Sequence, residues 1–465
     1  MCPIWPLHLI ILYLLALCPL WVLCQAAPNL IASFTPNNIT VHMNEYQIVN
    51  VSVEGDGLQV DDMMWLGTDE DRIATAEWNS TYTLTDEDVS RKRWDGRLRV
   101  NGNFLGRTPL SVRVKRGTTP IDVNGTLPVI VVRPERVIDT IFTTSVALFI
   151  SLIFINFGCA MDWPTVKNVL KKPVGPIIGL CGQFVFMPLI SFGLGFAIFP
   201  DDPAMRLGMF FTGCAPGGGA SNIWTFILGG NLNLSLAMTT ISTIAAFGLM
   251  PLWLFTLGQV VFRNAQIVVP YLNITYFVIG LVVPLSIGLA MQKFTPRISA
   301  FMVRILKGFS TTLLLFIIIF AIVTNLYIFQ LFTWQIVVAG MGLPWLGYAA
   351  GYGFARLLRQ PHGDALAISI ETGIQNTGIA IFLLRYALDP PEMDLTTVVP
   401  VSCAIMTPIP MTAIFIYQKI KGCLEGMSSS TETNTRRWRK TSPPYPKQES
   451  PTSSQPLMSE NNSNA

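Results

Sequence analysis

The pattern of hydrophobic positions divides the chain into a polar N-terminal part and a long apolar part. From residue 138 onward, apolar runs recur at lengths that suit helices crossing a bilayer, with short polar segments between them. The pattern predicts nine spans, over residues 138–160, 175–199, 207–228, 234–258, 270–291, 308–330, 335–357, 364–385 and 395–418. We therefore expect an all-α polytopic membrane domain with nine transmembrane helices over residues 138–420.

Residues 27–137 follow the alternation of β-strands instead. Short alternating or β-branched runs lie at residues 48–53, 98–100, 110–115 and 127–132, with Gly, Asn, Asp and Pro between them. This pattern predicts a small β-sandwich. The segment contains no cysteine, so a hydrophobic core and not a disulfide framework must hold it together.

Residues 1–26 have the pattern of a secretory signal peptide. An apolar run over residues 9–24 ends in small residues, although His8 is the only basic side chain before it. An anchor helix is the alternative, but the run is short for a membrane span. Four glycosylation sequons follow within residues 27–137, which favours an exported, glycosylated segment over chance. They are at Asn38, Asn50, Asn79 and Asn124.

Composition and loop charges indicate a membrane protein and its orientation. The chain is 51% hydrophobic and only 13% charged, about half the charged share of an ordinary soluble domain. Lys and Arg follow spans one, five, seven and nine, whereas the alternate loops carry acids such as Asp201, Asp202 and Glu392. This positive-inside pattern predicts that the N-terminal domain is extracellular or lumenal and that the C-terminus is cytoplasmic.

The C-terminal tail, residues 421–465, is rich in Ser, Thr, Pro, Asn and Gln. Such a composition cannot bury a core, so we expect the tail to be disordered. Its basic run at residues 436–440 either contacts anionic lipid or is simply a solvated cytoplasmic charge cluster.

Two of the predicted spans are interrupted by residues that disfavour a helix. Span three contains Pro216 followed by three glycines, and span eight has Gly373 and Gly378 around a polar stretch. In hydrocarbon, the freed backbone groups need new partners. Inverted-repeat transporters place such discontinuous helices at corresponding positions of their two halves. We therefore expect crossed discontinuous helices in an inverted-repeat fold whose first helix is missing.

Glu371 is a carboxylate predicted to lie in the middle of a span. A charge there costs on the order of 2.5 to 3.5 kcal/mol on insertion scales, and no basic residue is predicted mid-span to offset it. A bound cation or a proton remains, and a protonated Glu371 bonded to its neighbours is the purely structural alternative. Neighbouring side chains offer oxygen, which suits a small hard cation. These oxygen donors are Ser221, Asn222, Ser235, Thr239, Glu371 and Gln375.

Ser235 and Thr239 lie four residues apart and therefore on one face of span four. A membrane serine on its own more often bonds the backbone of its own helix, so Ser235 alone would be weak evidence of a site.

The interrupted segments resemble those of the sodium/bile acid symporter family, solute carrier family 10. The similarity is carried by residues 182–184, 187–188, 214–222, 234–243 and 371–377, and it extends over about residues 138–420. The signal peptide and N-terminal ectodomain are similar to the orphan branch of that family. The resemblance implies a core domain and a panel domain, with two sodium ions bound behind the crossed helices.

The resemblance also assigns residues to these sites. The first sodium site would use Ser221, Asn222, Ser235, Thr239 and Glu371. The second would use Gln183, Glu371 and Gln375 together with the backbone carbonyls of Thr372 and Ile374. Gly219 stands where bile acid carriers usually have Thr beside the substrate cavity, and Asn376 is assigned to the same cavity.

Three functions are compatible with these patterns. The first is sodium-coupled transport of a small organic anion, such as a bile acid or a steroid sulfate, across the plasma membrane or another secretory-pathway membrane. The second is a transporter fold that serves as a receptor or adaptor through its ectodomain. The third is a proton-coupled carrier in which Glu371 is the proton site.

The sequence has no nucleophile–base pair or nucleotide loop, so we expect neither an enzyme nor a nucleic-acid partner; homo-oligomerisation stays open.

The predicted topology is testable in intact cells. A tag at residue 460 should resist external protease, because the tail is predicted to be cytoplasmic. A glycosidase should increase the electrophoretic mobility of the protein, and changing the four sequon asparagines to Gln should abolish that shift. A tag cleaved from outside, or a mobility indifferent to the glycosidase, would contradict the topology.

Overall fold

The computed structural model describes residues 30–304 and 331–423, except residues 61, 80–82, 118, 135 and 266. The predicted signal peptide, the sixth predicted span at 308–330 and the tail beyond residue 423 lie outside the described residues.

The described residues of the N-terminal domain form eight strands in two groups, which are antiparallel except for β2. The strands are β1 (Ile31–Thr35), β2 (Ile39–His42), β3 (Tyr46–Glu54), β4 (Met63–Thr68), β5 (Ala74–Trp78), β6 (Arg93–Gly102), β7 (Gly106–Arg116) and β8 (Thr119–Val132). One group runs in the order β1, β3, β6, β5. The other runs β4, β7, β8, with β2 parallel to β8. A single parallel bridge, Ile31 to Asn124, joins the groups.

Alternation along the strands places one face of each group in a shared core. In β6, Trp94, Leu98 and Val100 are buried while the residues between them are mostly exposed. Trp78 of β5 packs edge-on against Trp94, with ring centroids 5.2 Å apart. The asparagines of all four sequons are exposed, so each is accessible to modification.

The four predicted strand runs all fall within observed strands, namely β3, β6, β7 and β8. The pattern missed β1, β2, β4 and β5, which are six residues or shorter. It also missed α1 (Asp86–Arg91), which begins with a capping box between Thr85 and Asp88. Short segments hold too few positions for a period to stand out.

The described residues from 137 onward are mainly helical. Its helices are α2 (Val137–Ala160), α3 (Trp163–Leu170), α4 (Val174–Cys181), α5 (Met187–Ile198), α6 (Pro203–Cys214), α7 (Ala220–Leu228), α8 (Leu232–Phe255), α9 (Leu257–Asn264), α10 (Tyr271–Phe294), α11 (Trp334–Leu357), α12 (His362–Gly373), α13 (Thr377–Ala387), α14 (Glu392–Leu395) and α15 (Val398–Met406). A π-helical turn, Gly182–Phe186, joins α4 to α5. A second compact unit begins at Ile409, and its described residues, 409–423, are helical.

Four helices among the described residues are long and apolar enough to cross a membrane. They are Val174–Ile198, Leu232–Phe255, Tyr271–Phe294 and Glu392–Cys423. A pair bent by 68°, Ala147–Ala160 with Trp163–Leu170, would make a fifth. The predicted spans three and eight are each divided into two shorter helices, α6 with α7 and α12 with α13.

Helices α2 and α10 pack with their backbones almost in contact. A Cβ at Gly158 would lie 2.5 Å from the carbonyl oxygen of Leu285, and a Cβ at Gly288 would overlap the carbonyl of Ile155. Only glycine permits this approach. Gln292 of α10 reinforces it by donating to the carbonyl of Met161 at 2.6 Å.

The N-terminal domain is attached to the helical part by side-chain contacts as well as by the chain. Phe104, in the turn between β6 and β7, packs against a buried cluster that includes Phe199 and Met205. Arg107 of β7 makes a two-armed ion pair with Glu392, which stands at the start of α14. The Arg107 side chain is 53% exposed but that of Glu392 only 11%. Hydrogen bonding to Glu392 raises the pKa of the Arg107 guanidinium, so this arginine stays charged.

The Arg107–Glu392 ion pair should stabilise the full-length protein. Arg107→Ala leaves the mostly buried carboxylate of Glu392 without its partner, which should cost about 1–3 kcal/mol and lower the melting temperature of the purified protein. Arg93→Ala is the matched control, because Arg93 pairs with Glu54 and Asp95 on the exposed surface. The exchange Arg107→Glu with Glu392→Arg should recover part of the loss. Equal melting temperatures for the Arg107 and Arg93 variants would contradict this role.

Candidate functional site

The two interrupted spans cross, and their backbones pair at the crossing. Between α6 and α7, Gly217 forms an antiparallel bridge with Gln375, which lies between α12 and α13. The Gly218 amide donates to the Ile374 carbonyl at 2.7 Å, and the Asn376 amide donates to the Pro216 carbonyl at 2.8 Å. Some of the backbone groups released by each break are therefore bonded by the other segment, and a membrane interior requires such partners.

Glycine at the crossing allows the two segments and the Glu371 side chain to meet. A Cβ at Gly217 would overlap the Oε1 atom of Glu371, and a Cβ at Gly218 would lie 2.8 Å from the Gln375 carbonyl oxygen. In the other segment, a Cβ at Gly373 would overlap the ring of Tyr348. These glycines serve close approach, since their φ angles are not in the left-handed region.

Glu371 is buried beside the crossing and accepts two hydroxyl hydrogen bonds. Its residue is only 1% exposed. Ser221 of α7 donates to Oε2 at 2.6 Å and Thr239 of α8 donates to the same oxygen at 2.9 Å. Within the described residues, the other oxygen, Oε1, has no hydrogen-bond partner. A buried acceptor atom left over in this way is rare in folded proteins and indicates that a further group belongs there.

Asn222 and Ser235 join this first cluster. Ser235 donates to the Asn222 Oδ1 atom at 2.9 Å, and Thr239 lies 3.4 Å from the same oxygen. Ser235 thus bonds another helix and not its own backbone. The Thr239 hydroxyl, which has a single hydrogen to donate, has the Ser235 carbonyl at 3.0 Å as an alternative acceptor to Glu371. All five residues assigned to a first site are connected by hydrogen bonds.

A second cluster is formed by the π-helical turn and the segment between α12 and α13. Gln183, in the π-helical turn, is fully buried. Its Nε2 donates to the Ala215 carbonyl at 2.6 Å and to the Gln375 Oε1 atom at 2.7 Å. The Gln375 Nε2 atom in turn donates to the Thr372 carbonyl at 2.7 Å. The Ile374 carbonyl accepts from Gly218. Gln183, Thr372 and Gln375 are therefore brought together, while Ile374 faces the crossing.

The sharing of Glu371 between both clusters stays a prediction. The two bonds to its Oε2 atom come from Ser221 and Thr239 of the first cluster. Its Oε1 atom faces Gly217, between the clusters.

Gly219 and Asn376, the two residues assigned to a substrate cavity, are not hydrogen-bonded to each other. Gly219 is exposed, and a Cβ there would meet no atom within 4 Å. Asn376 is half-buried and its side chain caps α13 by accepting from the Ile379 amide at 3.1 Å.

Sequence reasoning missed the π-helical turn that carries Gln183. A signal for it was present, because Pro188 has no N–H and removes one helical hydrogen bond four residues earlier, at Phe184. It also missed the carbonyl of Ala215 as a partner of Gln183.

The oxygen atoms that the two clusters could offer to a cation come from a carboxylate, hydroxyls, side-chain amides and backbone carbonyls. Such oxygen ligands suit a small hard cation and not a soft transition metal. Within the described residues, no three His, Cys, Asp or Glu side chains form a cluster that could hold a metal ion. A single negative charge among neutral oxygens matches a cation of low charge, such as Na⁺, better than a divalent ion.

Comparisons with known proteins find sodium-dependent transporters among the relatives of this chain. The model of the Sodium Bile acid symporter family matches residues 147–331. The ileal sodium/bile acid cotransporter of Cricetulus griseus is 30% identical over 293 residues, which are 62% of this chain and 83% of that protein. The sodium-dependent organic anion transporter of Bos taurus is 32% identical over 254 residues, 53% of this chain and 65% of that protein.

The P3 protein of Bos taurus is 31% identical over 280 residues, 59% of this chain. The match spans 58% of that relative's length. Among solved structures, domains 4 and 5 of the S-layer protein SbsC cover 22% of this chain and 53% of their own at 17% identity. The TM-score of 0.17 is too low to bear on the fold.

The close approach at Gly217 gives a stability test of the site. Gly217→Ala inserts a methyl group against the Glu371 carboxylate, which should lower the free energy of unfolding by about 1–3 kcal/mol. Gly219→Ala is the matched control, since its methyl group enters open space and should change stability by less than about 0.5 kcal/mol. Thermal denaturation of the detergent-purified proteins measures both. Equal melting temperatures would show that the carboxylate does not lie against Gly217.

Proposed function

Because the chain belongs to the sodium bile acid symporter family, we propose that it is a sodium-coupled symporter that carries a small organic anion across a membrane by alternating access. The observation that carries this proposal is the buried Glu371 carboxylate at the crossing of two broken helices, surrounded by neutral oxygen atoms. Discontinuous helices that cross in mid-membrane are where secondary transporters bind their coupling ions.

The first cluster supports a sodium site of Ser221, Asn222, Ser235, Thr239 and Glu371. The unpartnered Oε1 atom of Glu371 is an acceptor that a cation would satisfy. Hydroxyl and amide groups at Ser221, Thr239 and Asn222 can present lone pairs once their hydrogens turn away. Bound sodium supplies the positive charge that offsets the cost of burying an ionised carboxylate.

The second cluster supports a second site of Gln183, Gln375 and the carbonyls of Thr372 and Ile374, with Glu371 shared. The Gln375 Nε2 atom faces the Thr372 carbonyl, and Gln183 Nε2 faces Gln375 Oε1. To present oxygens to a cation, the Gln375 and Gln183 amides must both turn by about half a revolution, which exchanges the N and O of each without moving the rest of the side chain. Turning Gln375 alone would set its NH2 group against that of Gln183. The joint rotation would couple ion binding to the hydrogen bonds at the crossing.

The proposal extends to the architecture. We infer nine transmembrane helices arranged as inverted repeats, an extracellular β-sandwich glycosylated at Asn38, Asn50, Asn79 and Asn124, and a cytoplasmic C-terminus. The two groups of antiparallel strands around one core support the sandwich. The exposure of the four asparagines supports their modification.

The substrate is proposed to be an organic anion of the bile acid or steroid sulfate kind. The names of two relatives, a sodium/bile acid cotransporter and a sodium-dependent organic anion transporter, support this class. The open space beside Gly219, close in sequence to the first cluster, would admit a bulkier or differently shaped substrate than a Thr at that position. Asn376 lies at the start of α13 and could contact the same substrate.

Sodium binding can be tested without knowing the substrate. Raising NaCl against choline chloride at constant ionic strength and pH should raise the melting temperature of the purified protein. A concentration one hundred times the dissociation constant gives about 2.7 kcal/mol of stabilisation. Glu371→Gln keeps the size of the side chain but removes its charge, so it should abolish the sodium-dependent shift. Ser221→Ala and Thr239→Ala each remove one neutral ligand and should raise the half-maximal sodium concentration about tenfold.

Uptake measurements separate the competing functions. Cells that express the wild-type protein should accumulate a radiolabelled bile acid or steroid sulfate in sodium but not in choline medium, and Glu371→Gln should eliminate this uptake. Uptake that follows pH and ignores sodium would favour the proton-coupled carrier. If neither sodium nor pH alters melting or uptake, the receptor alternative is favoured and the symporter proposal fails.

A further inference from the structure

The π-helical turn between α4 and α5 has a defined origin in the sequence. In an α-helix each carbonyl accepts from the amide four residues later, but residue 188 is proline and has no N–H. The Phe184 carbonyl therefore loses its ordinary helical partner. One step earlier, the Met187 amide reaches back five residues to the Gly182 carbonyl, which makes the turn a π-helix.

Trp253 supplies the partner that the helix cannot provide. It lies in the last turns of α8, and its indole Nε1–H donates to the Phe184 carbonyl at 2.7 Å. Phe184 is itself buried, so an unpartnered carbonyl there would have no water to bond. The indole N–H is a donor only, which suits a site that offers a lone carbonyl oxygen.

The same turn fixes the position of Gln183. Gly182 lies so close to Thr372 that a Cβ at residue 182 would stand 2.5 Å from the Thr372 Oγ1 atom. The next residue then directs its amide between Ala215 and Gln375, one from each broken span. A shift of the turn by a fraction of an ångström would misalign Gln183 with both partners, because binding groups must be held within about 0.5 Å of their working geometry.

We propose that Trp253 is a positioning residue for the second sodium site: its hydrogen bond to Phe184 holds the π-helical turn, and the turn holds Gln183 at the crossing. The inference rests on the proposed function, in which Gln183 is a sodium ligand. Because Trp253 and Thr239 belong to the same helix, α8 contributes a ligand to the first site and a support to the second.

The test replaces Trp253 by Phe in the full-length protein. Phe keeps an aromatic ring for packing against the neighbouring apolar cluster but has no N–H to donate. The melting temperature is measured over an NaCl titration against choline chloride. The half-maximal sodium concentration should rise about fivefold, the amount expected for one lost hydrogen bond.

Trp345→Phe is the matched control. The Trp345 indole also donates to a backbone carbonyl, that of Met406 at 3.4 Å, but in an exposed contact, and Met406 belongs to neither cluster. This variant should titrate with sodium like the wild type. If Trp253→Phe does not yield folded protein, Trp253→Met, which also has no group to donate to the Phe184 carbonyl, decides the question by the same titration, and an unchanged midpoint contradicts the proposal.

A double-mutant cycle shows whether Trp253 acts through Gln183. In a Gln183→Ala background, Trp253→Phe should no longer change the sodium midpoint, because the group it positions is gone. An undiminished effect there would overturn the proposed route. If the wild-type protein itself shows no sodium-dependent shift, the proposed function fails; if it does and Trp253→Phe titrates like the wild type, only the positioning role fails.

Discussion

Burial of one carboxylate, that of Glu371, is the constraint on which the helical part of this structure depends. An ionised group in a membrane interior must be surrounded by donors or a cation. Ser221 and Thr239 can reach it only if α7, α8 and α12 converge on one point. That convergence in turn requires a position without a side chain, which Gly217 provides, and a break in each of two spans. The extended segments then pair with each other, so that backbone groups freed by each break bond to the other segment.

The two clusters differ in how they are held. The first is formed mainly by hydroxyls on regular helices, where the rotamers of Ser221, Ser235 and Thr239 are limited by the helix backbone. In the second, Gln183 lies in the π-helical turn and Gln375 in the irregular segment after α12, while the Thr372 carbonyl is in the last turn of α12. Irregular segments allow a side chain to be aimed where a regular helix cannot aim it, but they need support from neighbouring elements. Gly182 against Thr372 gives such support.

The sequence predicted the surroundings of Glu371 better than the details of the fold. Pro216 and the glycines beside it predicted the helix breaks, which the structure contains, and the oxygen donors expected near Glu371 include Ser221 and Thr239, which bond it. That these residues bind a cation stays a prediction. The antiparallel bridge between Gly217 and Gln375 could not be predicted, since it depends on the register in which two distant segments meet. The strands β2 and β5 were missed because they are only four and five residues long, and so few positions do not show a clear alternation of apolar and polar residues. The attachment of the N-terminal domain by Arg107 left no local signal at all.

Through that attachment, the N-terminal domain forms a second connection between α2 and α14. The domain is joined to the rest of the chain covalently, through the four residues 133–136 between β8 and α2, and by the ion pair of Arg107 with Glu392 at α14. Four residues span at most roughly 14 Å when fully extended. If α2 and α14 moved apart, either this linker would have to extend or Arg107 would have to release Glu392. The domain therefore couples α2 to α14, and the linker and the ion pair together limit how far these two helices can separate.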